Sequence, residues 1–351
     1  MRKEKPAYLI LYEQIRTAIA DNVFPTGTKL PSKRALAADY DLSLVTVEHA
    51  LDLLEEEGYI EPKERSGYFV SYRSEDVLPV SGEHFTPMEK SVPRGETFPY
   101  NVLARTIRRV LSDYQEEILV KSPSCGLASL QEAIASYLAS SRGISVRPDQ
   151  IIIGSGSEYL YGLIVQTLGR ELVYGIENPS FKTIRRMYEA NQVKLDLLRL
   201  GNNGILSEEL RRTNADVLHI TPYRSWPTGI TADASKRREY IAWAKEKGAV
   251  IIEDDYDSEF TLTGKPADTL FALSGGSSVV YLCTFSTTIA PSVRIGYMIL
   301  PDPLLEQFRA RAGFYSCTVS TFSQLILAEL IQSGDYARHL NRMRRARRSR
   351  R

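Results

Sequence analysis

The sequence predicts an α/β protein in two folded parts, and three observations carry that prediction. Residues 6 to 72 hold three short helical periods followed by a strand, a turn and a strand. Residues 73 to 97 show no apolar period and read as a tether. From residue 98 to 351, short apolar runs alternate with helical stretches, the pattern of βαβ units in a sheet flanked by helices. A chain of 351 residues exceeds one typical domain and has ample material for a core.

In the first part, Tyr8, Leu11, Tyr12, Ile15, Ala18 and Ile19 recur at helical spacing, and Pro25-Thr26-Gly27 follows the helix they make. Ser32 is placed to cap a second helix over Lys33 to Ala37. After the tight turn Asp41-Leu42-Ser43, Ser43 caps a third helix that turns Val47, Ala50, Leu51 and Leu54 inward. Gly58 sits at the expected left-handed C-terminal cap. Tyr59-Ile60, the polar turn Pro62 to Gly67 and Tyr68-Phe69-Val70 complete a winged helix-turn-helix, whose third helix fits a DNA major groove.

The segments LYEQIR, SLVTVEHALDLLEEEGYI and SGYFV closely resemble the GntR type of DNA-binding domain. By that resemblance Ser32, Arg34, Ser43 and Thr46 touch DNA phosphate or base edges, and Arg65 and Gly67 bring the wing to the minor groove or backbone. The residues alone leave a second reading open, in which the serines and Thr46 only cap helices and Arg34 is solvated. Leu44 stands where this group often has arginine, and offers only apolar contact to a thymine methyl. Glu48 on the same helix repels phosphate unless it faces a cytosine amine or solvent. The unit is slightly acidic, so affinity depends on a few placed cations.

The second part opens with a helix from Phe98-Pro99 through Ile107 and Val110. A helix from Leu127 to Ser141 follows, with Leu130, Ile134, Tyr137 and Leu138 on one side and Gly143 at its end. Ile151-Ile152-Ile153 is a short buried strand. Gly154-Ser155-Gly156-Ser157 then opens a helix, either as a plain turn or as a start whose backbone amides receive phosphate. Glu177-Asn178-Pro179-Ser180-Phe181 and the stretch Thr221 to Gly229 read as turns. Ile251-Ile252-Glu253-Asp254-Asp255-Tyr256 delivers carboxylates and a phenol to a strand end, where ligands collect in α/β sheets. Leu282 and Cys283 lead into Thr284-Phe285-Ser286-Thr287-Thr288, with Arg294-Ile295-Gly296-Tyr297 beyond.

Taken together, these segments resemble fold-type I aminotransferases, and more narrowly the aminotransferase-like half of MocR/GntR-type transcription regulators. The resemblance implies a mixed, mostly parallel sheet and a pyridoxal-phosphate site. Asp254 would hold the pyridinium nitrogen protonated and Tyr256 the ring hydroxyl. Ser286 and Arg294 would hold the phosphate, with Gly156 and Ser157 as its cup. Phe181 either stacks on the ring or fills the core. The pattern's lysine is Thr287, which has no primary amine to form a Schiff base. No catalytic residue is therefore assigned, and pyridoxal phosphate is expected to bind at most noncovalently. Glu158 replaces the usual glutamine and adds a negative charge beside the expected phosphate. Tyr223, Arg224 and Trp226 are bulkier or more charged than the family's residues and imply a changed pocket.

The expected function is a DNA-binding transcription regulator with a degenerate aminotransferase-like sensor. The alternatives are a pyridoxal-phosphate-dependent aminotransferase and a truncated relative that binds DNA without an effector. Double-stranded DNA, an amino-acid or vitamin B6 effector and a second copy of the chain are the expected partners. The chain stops at Arg351, before the small domain that the family carries, and residues 342 to 351 read as a solvated, frayed helix end or as a basic DNA-binding arm. A net charge of +1 argues neither for nor against nucleic acid. The cysteines Cys125, Cys283 and Cys317 are odd in number and scattered, which suits a reducing cytoplasm better than a disulfide framework or zinc site. The first residues lack the apolar run of a signal peptide, no stretch is long enough to span a bilayer, and a cytoplasmic location is expected.

Overall fold

Three helices and a hairpin form the first of two units in a computed structural model that describes residues 6–63, 66–72, 98–260 and 268–349. The units are Met1–Lys90 and Ser91–Arg351. The tether at 73–97 and Arg65 lie outside the described residues. In the first unit, α1 (Ala7–Ala20), α2 (Lys33–Asp39) and α3 (Leu44–Glu56) precede β1 (Ile60–Lys63) and β2 (Gly67–Val70). Ser32 accepts from the Ala35 amide at 3.2 Å and Ser43 from the Thr46 amide at 3.1 Å, so both caps satisfy donors that a helix start leaves open. Leu11, Ile15 and Ile19 pack with Leu36, Val47, Leu51, Leu54, Ile60 and Val70. Each such fully buried side chain stabilises by about 1.5–3 kcal/mol.

The second unit begins with α4 (Tyr100–Tyr114) and α5 (Ala128–Arg142), followed by β3 (Ile151–Gly154), α6 (Ser157–Leu168), β4 (Val173–Asn178) and α7 (Lys182–Ala190). Next come β5 (Lys194–Gly201), β6 (Gly204–Ile205), α8 (Ser207–Arg212), β7 (Val217–Ile220), α9 (Ala234–Lys247), β8 (Val250–Asp254) and α10 (Leu270–Leu273). The unit closes with β9 (Val279–Thr284), β10 (Gly296–Ile299), α11 (Asp302–Arg311), α12 (Thr321–Gln332) and α13 (Asp335–Ser349). The sheet order is β3-β10-β9-β8-β7-β4-β5-β6. Strands β9, β8, β7, β4 and β5 are parallel, and β10 runs antiparallel between β3 and β9. This is the mixed, mostly parallel sheet that the sequence predicts.

Both faces of the sheet are covered, which explains why its strands read as continuous apolar runs. Ile151, Ile153, Ile251, Tyr281 and Ile299 face one layer together with residues of α5, α9, α12 and α13. Ile152, Ile252, Val280, Leu282 and Met298 face the other with residues of α6, α7 and α11.

Over residues 342–349 the reading as a frayed helix end is corrected, and Arg350 and Arg351 lie outside the described residues. Helix α13 runs to Ser349 and buries Tyr336, Leu340 and Met343. Arg344 pairs with Glu259 at 2.9 Å and Arg347 with Asp257 at 3.3 Å, so two of its arginines are committed to carboxylates of the same unit. Among the described residues no helix is long and apolar enough to cross a membrane, and no cluster of three or more side chains has the makings of a metal site.

Candidate functional site

The strand register draws the predicted residues to one end of the sheet. Gly296, the first residue of β10, lies opposite both Thr284 at the end of β9 and Gly154 at the end of β3, while Asp254 pairs with Leu282. Around these ends opens a cavity of about 370 Å³ lined by Ser157, Phe181, Asp254, Tyr256, Ser286, Thr287 and Arg294, among others. Gly156 borders it, since a Cβ there would fall 2.9 Å from Arg294 Nη2, and its φ of +96° suits glycine. The structure thus brings together Gly156, Ser157, Phe181, Asp254, Tyr256, Ser286, Thr287 and Arg294, and adds Glu158 and Trp226, whereas Tyr223 and Arg224 are not part of the lining.

At the floor of the cavity, Asp254 is 4% exposed. Its Oδ2 accepts the Tyr161 hydroxyl, and His219 Nε2 stands 3.5 Å from the same oxygen. Tyr188 Oη and His219 Nδ1 share a hydrogen bond of 2.6 Å behind it. Burial, and after it the Asp254 carboxylate, holds the Tyr161 phenol well above its ordinary value, so it remains a donor. Asp254 Oδ1 is buried and has no hydrogen-bond partner. A buried carboxylate oxygen left open is costly, and it calls for a donor from a bound molecule. Beside it, burial pushes Glu177 up to about 8, while hydrogen bonds from Ser225, at 2.6 Å, and the Thr221 backbone act to lower it.

The opposite end of the cavity is arranged differently. Arg294, held at φ +47°, forms an ion pair with Glu158 in the first turn of α6. The guanidinium that the resemblance gives to a phosphate is therefore already matched by a carboxylate. Thr287 Oγ1 donates to the Tyr256 carbonyl at 2.9 Å, and among the described residues no lysine lines the cavity. The Tyr256 hydroxyl donates to the Arg224 carbonyl at 2.7 Å, so this phenol is held by the 221–229 loop rather than left free for a ring oxygen. The lining thus fits the ring end of pyridoxal phosphate through Asp254, and fits neither its phosphate end nor covalent attachment.

Tyr161, Tyr188, His219 and Ile184 were not singled out in the sequence, and Glu177 entered it only as the first residue of a turn. One signal was present for His219, a lone histidine in the otherwise apolar strand Val217-Leu218-His219-Ile220. Asp255 pairs with Arg142 at 2.9 Å, accepts the Tyr281 hydroxyl at 2.7 Å and also accepts the Ser258 amide at 3.3 Å.

On the first unit, α3 exposes Leu44 and Val45, and Arg34 is exposed on α2. Ser43 Oγ and Thr46 Oγ1 lie 2.8 Å apart at the helix start. Lys33 pairs with Glu48 at 2.5 Å, which neutralises the acid expected to repel phosphate. Gly67 opens β2 at φ +106°, where a Cβ would meet Lys29 Cε at 3.3 Å.

A helix-turn-helix unit and an aminotransferase-type α/β unit on one chain define a two-part regulator. Residues 7–70 match the family described as bacterial regulatory proteins, gntR family, and residues 94–351 match aminotransferase class I and II. The chain is 33% identical to the HTH-type transcriptional regulator YdeL of Bacillus subtilis, over 99% of this chain and 78% of that protein. It is 30% identical to the HTH-type pyridoxine biosynthesis transcriptional regulator PdxR of Corynebacterium glutamicum, over 97% of this chain and 76% of that protein. A crystal structure of kynurenine aminotransferase from Pyrococcus horikoshii superposes with a TM-score of 0.66 at 24% identity, over 72% of this chain. That likeness shows the fold alone, and the chain spans 65% of that enzyme's length. The chain belongs to the MocR/GntR-type transcription regulators, in which a gntR-family DNA-binding unit precedes an aminotransferase class I and II domain.

Proposed function

We propose that this regulator binds duplex DNA through α3 and the wing, and that its large unit holds a small molecule noncovalently in the Asp254 cavity without transamination. The observation that carries the second half is the lining itself. It offers an unpartnered buried carboxylate oxygen for a ligand donor and, among the described residues, no lysine amine for covalent chemistry. The apolar walls supplied by Phe181, Ile184 and Trp226 suit a flat ring, and the few convergent polar groups would orient it. The pyridine vitamers and amino acids are the ligand classes in view, and a pair of chains is the expected DNA-binding form. Support for the first half comes from membership of the family and from the exposed N-terminal end of α3.

The test is selection of bound duplexes from random DNA by the full chain, followed by titration of a selected duplex with and without vitamin B6 compounds and amino acids. Recovery of one sequence family, with an affinity that shifts when a compound is added, is the expected result. Equal affinity for selected and random duplex would remove the DNA-binding half. An affinity indifferent to every compound would remove the sensor.

A further inference from the structure

We propose that the Glu158 carboxylate is a built-in occupant of the anion cup, so that the cavity selects an aromatic nitrogen heterocycle carrying no phosphate. This rests on the ligand-holding reading above and names the chemical class of the ligand.

The cup has two sources of positive potential, the first turn of α6 and the Arg294 guanidinium. Glu158 lies in that first turn and reaches Arg294. One carboxylate therefore pairs with the guanidinium while standing in the first turn of the helix, beside the two features a phosphate dianion would need. Gly156 makes the arrangement tight. Its backbone, at φ +96°, lies so close to the guanidinium that even a methyl group there would sit 2.9 Å from Nη2. A phosphate entering the cup must displace Glu158 and then remain beside it, and two anions near one guanidinium repel each other.

The far end of the cavity points the other way. Asp254, with Oδ1 buried and unpartnered, is suited to a protonated ring nitrogen or a ring N–H donor. Tyr161 fixes its other oxygen. A ligand satisfying both ends thus brings a donor to Asp254 and no charge to Glu158. The Arg294 and Glu158 side chains are 51% and 38% exposed, so solvent screens the pair, and the discrimination is expected at about tenfold rather than absolute.

The experiment titrates the full chain with pyridoxine and with pyridoxine 5′-phosphate, which carry no aldehyde to react with surface lysines. Binding is followed by calorimetry and by fluorescence of Trp226, which lines the cavity. The unaltered protein is expected to bind pyridoxine about tenfold more tightly than its phosphate ester. Glu158→Gln, similar in shape and free of charge, is expected to improve the ester by about tenfold while moving pyridoxine less than about threefold. Inorganic phosphate is expected to raise the melting temperature of Glu158→Gln and not of the unaltered protein, which also shows that the variant is folded. Preference of the unaltered protein for the ester, or an affinity ratio that Glu158→Gln leaves in place, overturns the inference while the ligand-holding reading stands. If neither vitamer binds either protein the inference is overturned, and if Asp254→Asn leaves pyridoxine binding intact the ligand-holding reading itself fails and takes the inference with it.

Discussion

Asp254 and Asp255 are neighbours at the end of β8 and serve opposite faces of the sheet. Asp254 accepts the hydroxyl of Tyr161 from α6, and Asp255 pairs with Arg142 from α5 at 2.9 Å. The alternation of a strand places Glu253 on the side of Asp255, where its two oxygens accept the Leu270 and Phe271 amides, both at 2.9 Å. Of three consecutive carboxylates, only the middle one lines the cavity.

This division separates stability from binding. Asp255→Asn leaves the Arg142 guanidinium, 2% exposed, without its charge partner, and is expected to cost about 3–5 kcal/mol in urea unfolding. Asp254→Asn keeps the shape and is expected to cost less than about 1 kcal/mol while abolishing ligand binding. Equal costs for the two variants would contradict the assignment.

Stability should fall as pH rises. Glu177, raised to about 8 from an ordinary value of 4.5, holds its proton in the folded chain over a range where the unfolded chain has lost it. Its contribution is fully present below the unfolded value and is lost as pH climbs through the folded one. Glu253, raised to about 7, acts in the same direction. Glu177→Gln is therefore expected to gain roughly 1–3 kcal/mol on the unaltered protein at pH 8.5 and little at pH 5, as followed by thermal unfolding across that range. A gain that does not depend on pH would count against this account.

Covalent capture requires more than an amine at position 287. Thr287→Lys alone is expected to trap little pyridoxal phosphate at position 287, because Glu158 still holds Arg294. The double variant Thr287→Lys, Glu158→Gln is expected to trap substantially more, read by borohydride reduction and peptide mass spectrometry. Equal trapping by both would show that the ion pair does not obstruct the phosphate.

On the DNA side, two exposed neighbours of the helix-turn-helix have different tasks. Arg34→Ala is expected to weaken all duplexes about equally and to lower the salt slope by about 1. Leu44, half exposed on α3, can only make apolar contact, so Leu44→Ala is expected to alter the preference for thymine at one or two positions and leave the salt slope unchanged. Binding measured at several salt concentrations on selected and altered sites separates the two outcomes.

Much of this was legible in the sequence because the chemistry was local. Ser32, Ser43 and Gly143 mark helix ends through bonds to residues a few positions away. The runs at Ile151 and Ile251 declare buried strands by their composition. The gathering of Asp254, Thr287 and Arg294 was implied by the resemblance to fold-type I aminotransferases. What the sequence did not show depends on distant partners. Tyr161 and Tyr188 look like ordinary core residues of a helical period, and only packing against the sheet turns them toward Asp254 and His219. Glu158 meets Arg294 across 136 positions, and Arg344 meets Glu259 across 85, so the sequence put a negative charge beside the expected phosphate without showing its partner, and did not show the anchoring of the final helix.

Strand β10 doubles back between β9 and β3, and this sets Thr284 against Gly296, with the Phe285 amide bonded to the Ile295 carbonyl at 2.8 Å. The residues between them hang from two staves of the sheet like a removable panel. Ser286, Thr287 and Arg294 all sit within it. Because main-chain bonds fasten the panel, its side chains can be exchanged while the frame goes untouched.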